Sequence, residues 1–136
     1  MKIKLPLDLK KLQKKADRLF QRRRVLEEVD ENGYAFCITC VKTPKRLHAL
    51  NLDGGHFIGK GLNGAFLAVR YEKNNCWPQC RQCNRFQSGN HSIYRDELIK
   101  IVGAAEVERL EKKKYETVIF ARSLYEKVIA ESRGGR

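Results

Sequence analysis

Cys37-Ile38-Thr39-Cys40 and Cys80-Arg81-Gln82-Cys83, with Gly54-Gly55-His56 between them and Asn84 directly after, form the stretch that decides how this chain folds. A two-residue spacer lets both thiolates of a pair reach one ion, and two such pairs complete the tetrahedral set that zinc takes. Cys37, Cys40, Cys80 and Cys83 are therefore read as ligands of a structural Zn2+. The pairs stand about forty residues apart, further than in a simple zinc ribbon, which leaves room for a functional insertion. A redox Cys-x-x-Cys sits in a βαβ pattern, and this segment has none. That argues against a zinc-dependent redox or chaperone protein, whose knuckles would form reversible disulfides. Cys76 belongs to neither pair and reads as a buried spare thiol.

Within the insertion, His56 has the side chain suited to proton abstraction near neutrality. The two glycines before it permit a tight turn or the close approach of a phosphate. His48 and His91 lack such surroundings and read as structural or surface residues.

Length and charge set the wider frame. With 136 residues the chain is one domain, or a small domain with helical extensions. It can bury roughly two-thirds of its unfolded surface, a modest core that gains from a metal staple. Lys+Arg number 28 against 16 Asp+Glu, a net charge of +12. Such an excess points to a polyanionic partner, nucleic acid first. Residues 1–24 hold ten Lys/Arg, Arg22, Arg23 and Arg24 among them, against Asp8 and Asp17, a distribution suited to phosphate contact. No apolar run reaches membrane-spanning length, and the basic N-terminus lacks the apolar core of a signal peptide. The expected location is the cytoplasm, where thiols stay reduced and bind metal, with no membrane partner.

Periodicity predicts a helix over 7–29 through Leu9, Leu12, Ala16 and Phe20, broken at Asp30-Glu31-Asn32-Gly33. Residues 34–90 read as short and irregular, with strand-like pieces at 47–52 and 65–71. A helix from Ser92 to about Val102 follows, then Gly103, then a longer helix over about 104–132 with Val107, Leu110, Val118, Ala121, Leu124 and Val128 on one side. The division is thus a basic N-terminal helix (1–33), a zinc-bound core (34–103) and a C-terminal helix (104–136). The apolar stripes of the helical ends suit a core or a homodimer.

Taken together, Cys37-x-x-Cys40, Gly55-His56-Phe57, Asn75, Cys80-x-x-Cys83-Asn84 and Ser88-Gly89-Asn90 resemble the zinc-knuckle branch of the HNH (ββα-metal) nucleases. With Arg70-Tyr71-Glu72 and Tyr94-Arg95 added, the string resembles more narrowly the NinG/Rap recombination nucleases of lambdoid phages, over roughly residues 35–103. The resemblance implies an α+β fold: a small zinc-stabilised ββα-metal (HNH, treble-clef-like) core with flanking N- and C-terminal helices. It also implies a metal-dependent endodeoxyribonuclease, a phage or prophage protein of a bacterial host. Its substrate would be the phosphodiester bonds of branched recombination intermediates, Holliday junctions or D-loops.

By the same resemblance His56 would be the general base at the end of the first ββα strand. Asn75 would pin the loop that holds it, and Asn84 would ligate a catalytic Mg2+ or Mn2+. Many HNH enzymes carry an acidic or histidine ligand just before the base, where this chain has Gly55. Asp53 is the nearest carboxylate. An extended strand sends residues 53 and 56 to opposite faces, so Asp53 could join His56 only across a bend at the glycines. His91, Asp96 and Glu97 could supply a further ligand. Arg70 and Tyr71 would line the cleft, Arg70 clamping a phosphate, while Lys60, Arg81 and Arg85 would hold the DNA backbone without reading bases. The alternative is a non-catalytic zinc-stabilised nucleic-acid-binding module. It accounts for the cysteines, the charge and the aromatics Phe57, Trp77 and Phe86, but not for the spacing of His56, Asn75 and Asn84.

The clustered positive charge carries a first test. Affinity for DNA should fall steeply as salt is raised, with log affinity linear in log salt. A flat salt dependence in a mobility-shift titration would remove the phosphate-contact reading of the N-terminal run.

Overall fold

Leu9, Leu12, Ala16, Leu19 and Phe20 recur every three or four residues, and helix α1 (Leu7–Glu28) forms on that stripe. It stops where Asp30 turns the chain: the Asp30 carboxylate accepts from the Asn32 and Tyr34 amides at 2.9 and 3.1 Å, and Gly33 adopts φ 85°. The computed structural model describes residues 7–59 and 66–134, a small mixed α+β domain. Residues 1–6 and Lys60 lie outside the described residues.

Two separate antiparallel ribbons follow. Strands β1 (Tyr34–Phe36) and β2 (Arg46–His48) pair with Tyr34 opposite His48, and the first cysteine pair lies in the loop joining them. Strands β3 (Leu52–His56) and β4 (Cys76–Cys80) pair with Leu52 opposite Cys80 and His56 opposite Cys76. The strand expected over 47–52 is thus divided. His48 Nδ1 accepts from the Leu50 amide at 3.1 Å and starts a single 3₁₀ turn at Ala49–Asn51, so His48 has a structural role.

The strand expected over 65–71 is instead a helical turn, α2 (Leu67–Arg70), entered from Phe66 at φ 60°. It buries Leu67 and Val69, and the Asn75 amide, not a neighbouring strand, takes the Val69 carbonyl at 3.1 Å. Helix α3 (His91–Val102) ends at Gly103, φ 91°. The long C-terminal helix is two: α4 (Ala104–Lys113) and α5 (Ala121–Gly134). Thr117, Val118 and Ile119 fall in the gap, a β-branched run that loses side-chain freedom in a helix.

Helix α1 lies along α5 and crosses the β3–β4 ribbon. On its side of the ribbon, Ala16 and Phe20 meet Leu67, Cys76, Tyr125, Val128 and Ile129. On the other, Phe57, Ile58 and Val69 pack with Tyr94, Leu98, Val107 and Leu110. The apolar stripes of both helical ends therefore close against partners within the chain. Among the described residues, no helix is long and apolar enough to cross a membrane.

The α1 crossing depends on Gly54. A Cβ there would stand 2.7 Å from the Gln21 carbonyl oxygen and 2.9 Å from the Gln21 Cα, while the Gln21 side chain donates to the Gly54 carbonyl at 2.7 Å. Gly54→Ala should therefore push helix and ribbon apart at a cost of about 1–3 kcal/mol. Gly59→Ala, which meets nothing within 4 Å among the described residues, should be close to neutral. Paired thermal melts would check both, and equal Tm values would contradict the packing described.

Candidate functional site

Cys37 follows β1 and Cys40 sits in the same loop, whereas Cys80 ends β4 and Cys83 lies on the next helical turn, Gln82–Phe86. Their four sulfurs lie within 4.8 Å of one another, with Cys40 Sγ 3.7 Å from Cys80 Sγ and 3.6 Å from Cys83 Sγ. Zn–S bonds of about 2.3 Å in a tetrahedron put sulfurs about 3.8 Å apart, so the cluster fits a structural zinc ion. Burial alone would raise the Cys37 thiol. Hydrogen bonds from the Cys80 amide and from Thr39 outweigh it and bring Cys37 down to about 7. Cys40 is pushed up by burial and by the neighbouring thiols, a mutual opposition that a cation among the sulfurs removes. Cys76 is fully buried in the core beside Ala16 and Phe20, apart from the four-sulfur cluster.

From this junction two limbs run to the insertion. β4 leads back to Cys76, opposite His56, and the helical turn brings Asn84 and Arg85 to Asp53. Asn84 Nδ2 donates to Asp53 Oδ2 at 3.0 Å. The Arg85 guanidinium spans the same carboxylate at 3.0 and 3.1 Å, and Arg81 stands 3.7 Å away. Asp53, Asn84 and Arg85 line a cavity of about 460 Å3 whose opposite wall is α1. Lys14, Arg18 and Arg22, one helical ridge at four-residue intervals, face it with Asp17 and Gln21.

His56 stands at the last position of β3, half-buried, with Nε2 2.9 Å from the Arg70 carbonyl oxygen. A carbonyl only accepts, so Nε2 holds a proton in this contact. Phe20 of α1 packs beside the imidazole, centroids 6.2 Å apart. Asn75, fully buried, pins the chain just beyond: its Oδ1 accepts from the Ile58 amide at 2.7 Å, and its Nδ2 donates to the Ile58 and Val69 carbonyls, each at 3.1 Å.

The ribbon stays extended through the glycines, with each residue from Leu52 to His56 in register. The bend that would bring Asp53 round to His56 is absent, and the two side chains point to opposite faces. Asp53 is brought to Asn84; His56 faces α1. The gap before the histidine also has a local cause. A Cβ on Gly55 would lie 1.9 Å from Gln79 Oε1. Gln79, fully buried on β4, fills that space and donates to Thr39 Oγ1 and the Gly89 carbonyl, both at 2.9 Å.

Comparison with known proteins places the chain in a family. The family model described as Bacteriophage Lambda NinG protein matches residues 2–135. The chain belongs to the NinG family. Curated relatives include Protein ninG of Escherichia phage 933W, of Salmonella phage P22 and of Escherichia phage lambda, each 33% identical over 75 residues. That alignment covers 55% of this chain, and about a third of each relative's length (34%, 34% and 33%). No solved structure matches.

In this NinG-family chain the expected phosphate contacts separate into surface and interior. Arg22, Arg81 and Arg85 are exposed, and Arg22 and Arg85 line the cavity. Arg23 turns to Glu27 and to the Glu131 carbonyl on α5. Arg24 is 1% exposed, its Nε bonded to the Lys73 and Cys76 carbonyls and its guanidinium over Trp77. Arg70 does not reach the surface: it is 6% exposed, and Nε and Nη2 hold Asp17 at 2.8 and 2.6 Å. The Tyr71 hydroxyl donates to the same carboxylate at 2.7 Å. Removing one partner of such a pair strands the other charge in the interior, at about 3–5 kcal/mol. Burial and the Asp17 charge together raise the Tyr71 phenol well above its usual range. Sequence reading passed over Asp17; its one signal is a carboxylate set within a run of cations. His91 stacks on Phe57 at 4.7 Å and Glu97 pairs with Lys100, while Asp96 is exposed on α3.

The sulfur cluster sets the test here. The purified chain should hold one zinc per molecule, and chelation or Cys80→Ser should release it together with most folded structure. Unchanged far-ultraviolet dichroism after verified zinc loss would contradict a structural role for the site.

Proposed function

We propose that this chain is a metal-dependent DNA endonuclease of the HNH type, acting on branched recombination intermediates. The observation that carries the reading is the order of parts. A histidine ends the first strand of an antiparallel ribbon, with its ring held by a main-chain carbonyl. A buried asparagine ties down the chain just after it, and a helical turn then brings an amide and a carboxylate together. In this reading His56 takes a proton from the attacking water. With Nε2 committed to the Arg70 carbonyl, that exchange falls to Nδ1. Asn75 is a positioning residue.

Asp53 and Asn84 would hold a divalent cation, Mg2+ or Mn2+, with water and phosphate oxygens completing its shell. The ion would supply charge stabilisation at phosphorus and at the leaving oxygen. Arg85 now occupies the Asp53 carboxylate. Its side chain is over half exposed, so it can swing towards a phosphate as the cation takes its place. The ridge of Lys14, Arg18 and Arg22 would carry the DNA backbone along the cavity. Phe86, 75% exposed beside Arg85, offers a ring on which an unpaired base of a branch point can stack.

A second reading, a zinc-stabilised binding module without cleavage, draws on the same observation of Asp53. Arg81, Arg85 and Asn84 already satisfy that carboxylate without any ion. Incubation with a four-way junction, a D-loop and a plain duplex, in Mg2+ or Mn2+, separates the two. The nuclease reading expects nicking of the branched substrates, a loss of about 100- to 10,000-fold in His56→Ala, and unchanged DNA affinity in that variant. Tight binding with no nicking by the unaltered chain in either metal would leave the binding module.

A further inference from the structure

We propose that Asp17 is a positioning residue for His56, acting from α1 through the Arg70–Tyr71 peptide; this rests on reading His56 as the general base. The carbonyl that receives His56 Nε2 belongs to the peptide linking Arg70 to Tyr71. Both of those residues are fastened to one carboxylate, Arg70 by Nε and Nη2 and Tyr71 by its hydroxyl. Asp17 therefore grips the acceptor peptide from both ends.

The peptide's local tie runs backwards along the chain. Its own N–H, the Tyr71 amide, donates to the Val69 carbonyl, which Asn75 Nδ2 also reaches, while Asp17 fixes the side chains on either side of the acceptor. One turn along α1 from Asp17, Phe20 packs against the His56 ring and edge-on to Tyr71, centroids 5.5 Å apart. A single helical face thus supplies the carboxylate that sets the acceptor and the wall that limits the ring. The N-terminal helix, otherwise a carrier of positive charge, becomes part of the apparatus that aims the base. Small displacements of a reacting group cost rate out of proportion to their size, about 100-fold for 1 Å.

The test uses the full zinc-loaded chain with a nicked-junction assay and histidine 15N-labelled NMR. In Asp17→Asn, kcat should fall about 10- to 100-fold with KM for the junction unchanged, and the His56 Nε2 proton signal should broaden or vanish. Tyr71→Phe keeps the ion pair and should fold; its kcat should fall several-fold at constant KM. Should Asp17→Asn fail to fold, Tyr71→Phe decides alone, and wild-type kcat with an unchanged ring signal overturns the proposal. The same result in a folded Asp17→Asn overturns it directly. If the unaltered chain nicks no DNA, the nuclease reading fails, while the ring signal still decides whether Asp17 holds His56: its loss in Asp17→Asn upholds the positioning, its survival ends it.

Discussion

Four sulfur atoms drawn within 4.8 Å of one another join parts of the chain that no shared sheet joins. The β1–β2 ribbon and the β3–β4 ribbon each pair internally, and the Ile38 amide to the Pro78 carbonyl is the backbone link that accompanies the sulfurs. A metal at this junction would fix the angle between the ribbons. It would also fix where β4 starts its return towards His56 and where the helical turn bearing Asn84 departs. Both limbs of the candidate site are thus measured from one point, and neither is long enough to wander far from it.

The second constraint is the crossing of α1. A helix carrying so many cations would be expected to expose them, yet it gives one broad face to the interior. Ala16 and Phe20 are buried there against α5 and β4, and beside them Asp17 and Arg24 are drawn inside, each with hydrogen bonds to residues distant in sequence. Lys14, Arg18 and Arg22 stay exposed as a ridge along the cavity, with Lys10 and Lys11 exposed nearer the start of the helix. The count of Lys and Arg therefore overstates the cations available to a polyanion, because Arg24 and Arg70 are structural charges paired with acids and Arg23 is turned towards α5.

Much of this was legible from local pattern. Leucine spacing gives α1, the paired Cys-x-x-Cys gives the sulfur cluster, and Gly103 ends α3 where the sequence says it should. The errors lie where a partner distant in sequence decides. Leu67–Arg70 contains the apolar residues of a strand, but Asn75 and the buried Asp17 claim its polar groups and curl it into a turn. Arg70 looks like any surface arginine until its carboxylate, 53 residues earlier, is known. His56 and Asp53 sit close in the sequence, and only an unbroken register shows that they face apart. The split between α4 and α5 falls at Thr117-Val118-Ile119, where an apolar stripe that reads as continuous runs through a β-branched stretch.

Gly54 and Gly55 are blocked by different things. The first meets a helix backbone that cannot yield; the second meets only the end of a glutamine. Positions 55 and 79 therefore share one parcel of volume, which this chain fills from the β4 side. A relative with a bulky or ligating residue before its histidine must carry something smaller than glutamine on the opposite strand, and must find another tie between the first knuckle and the turn at Gly89. Gln79 lies diagonally from position 55, whose direct partner across the ribbon is Trp77, so it is the residue at position 79 that tells which members of the family have room for an extra ligand there.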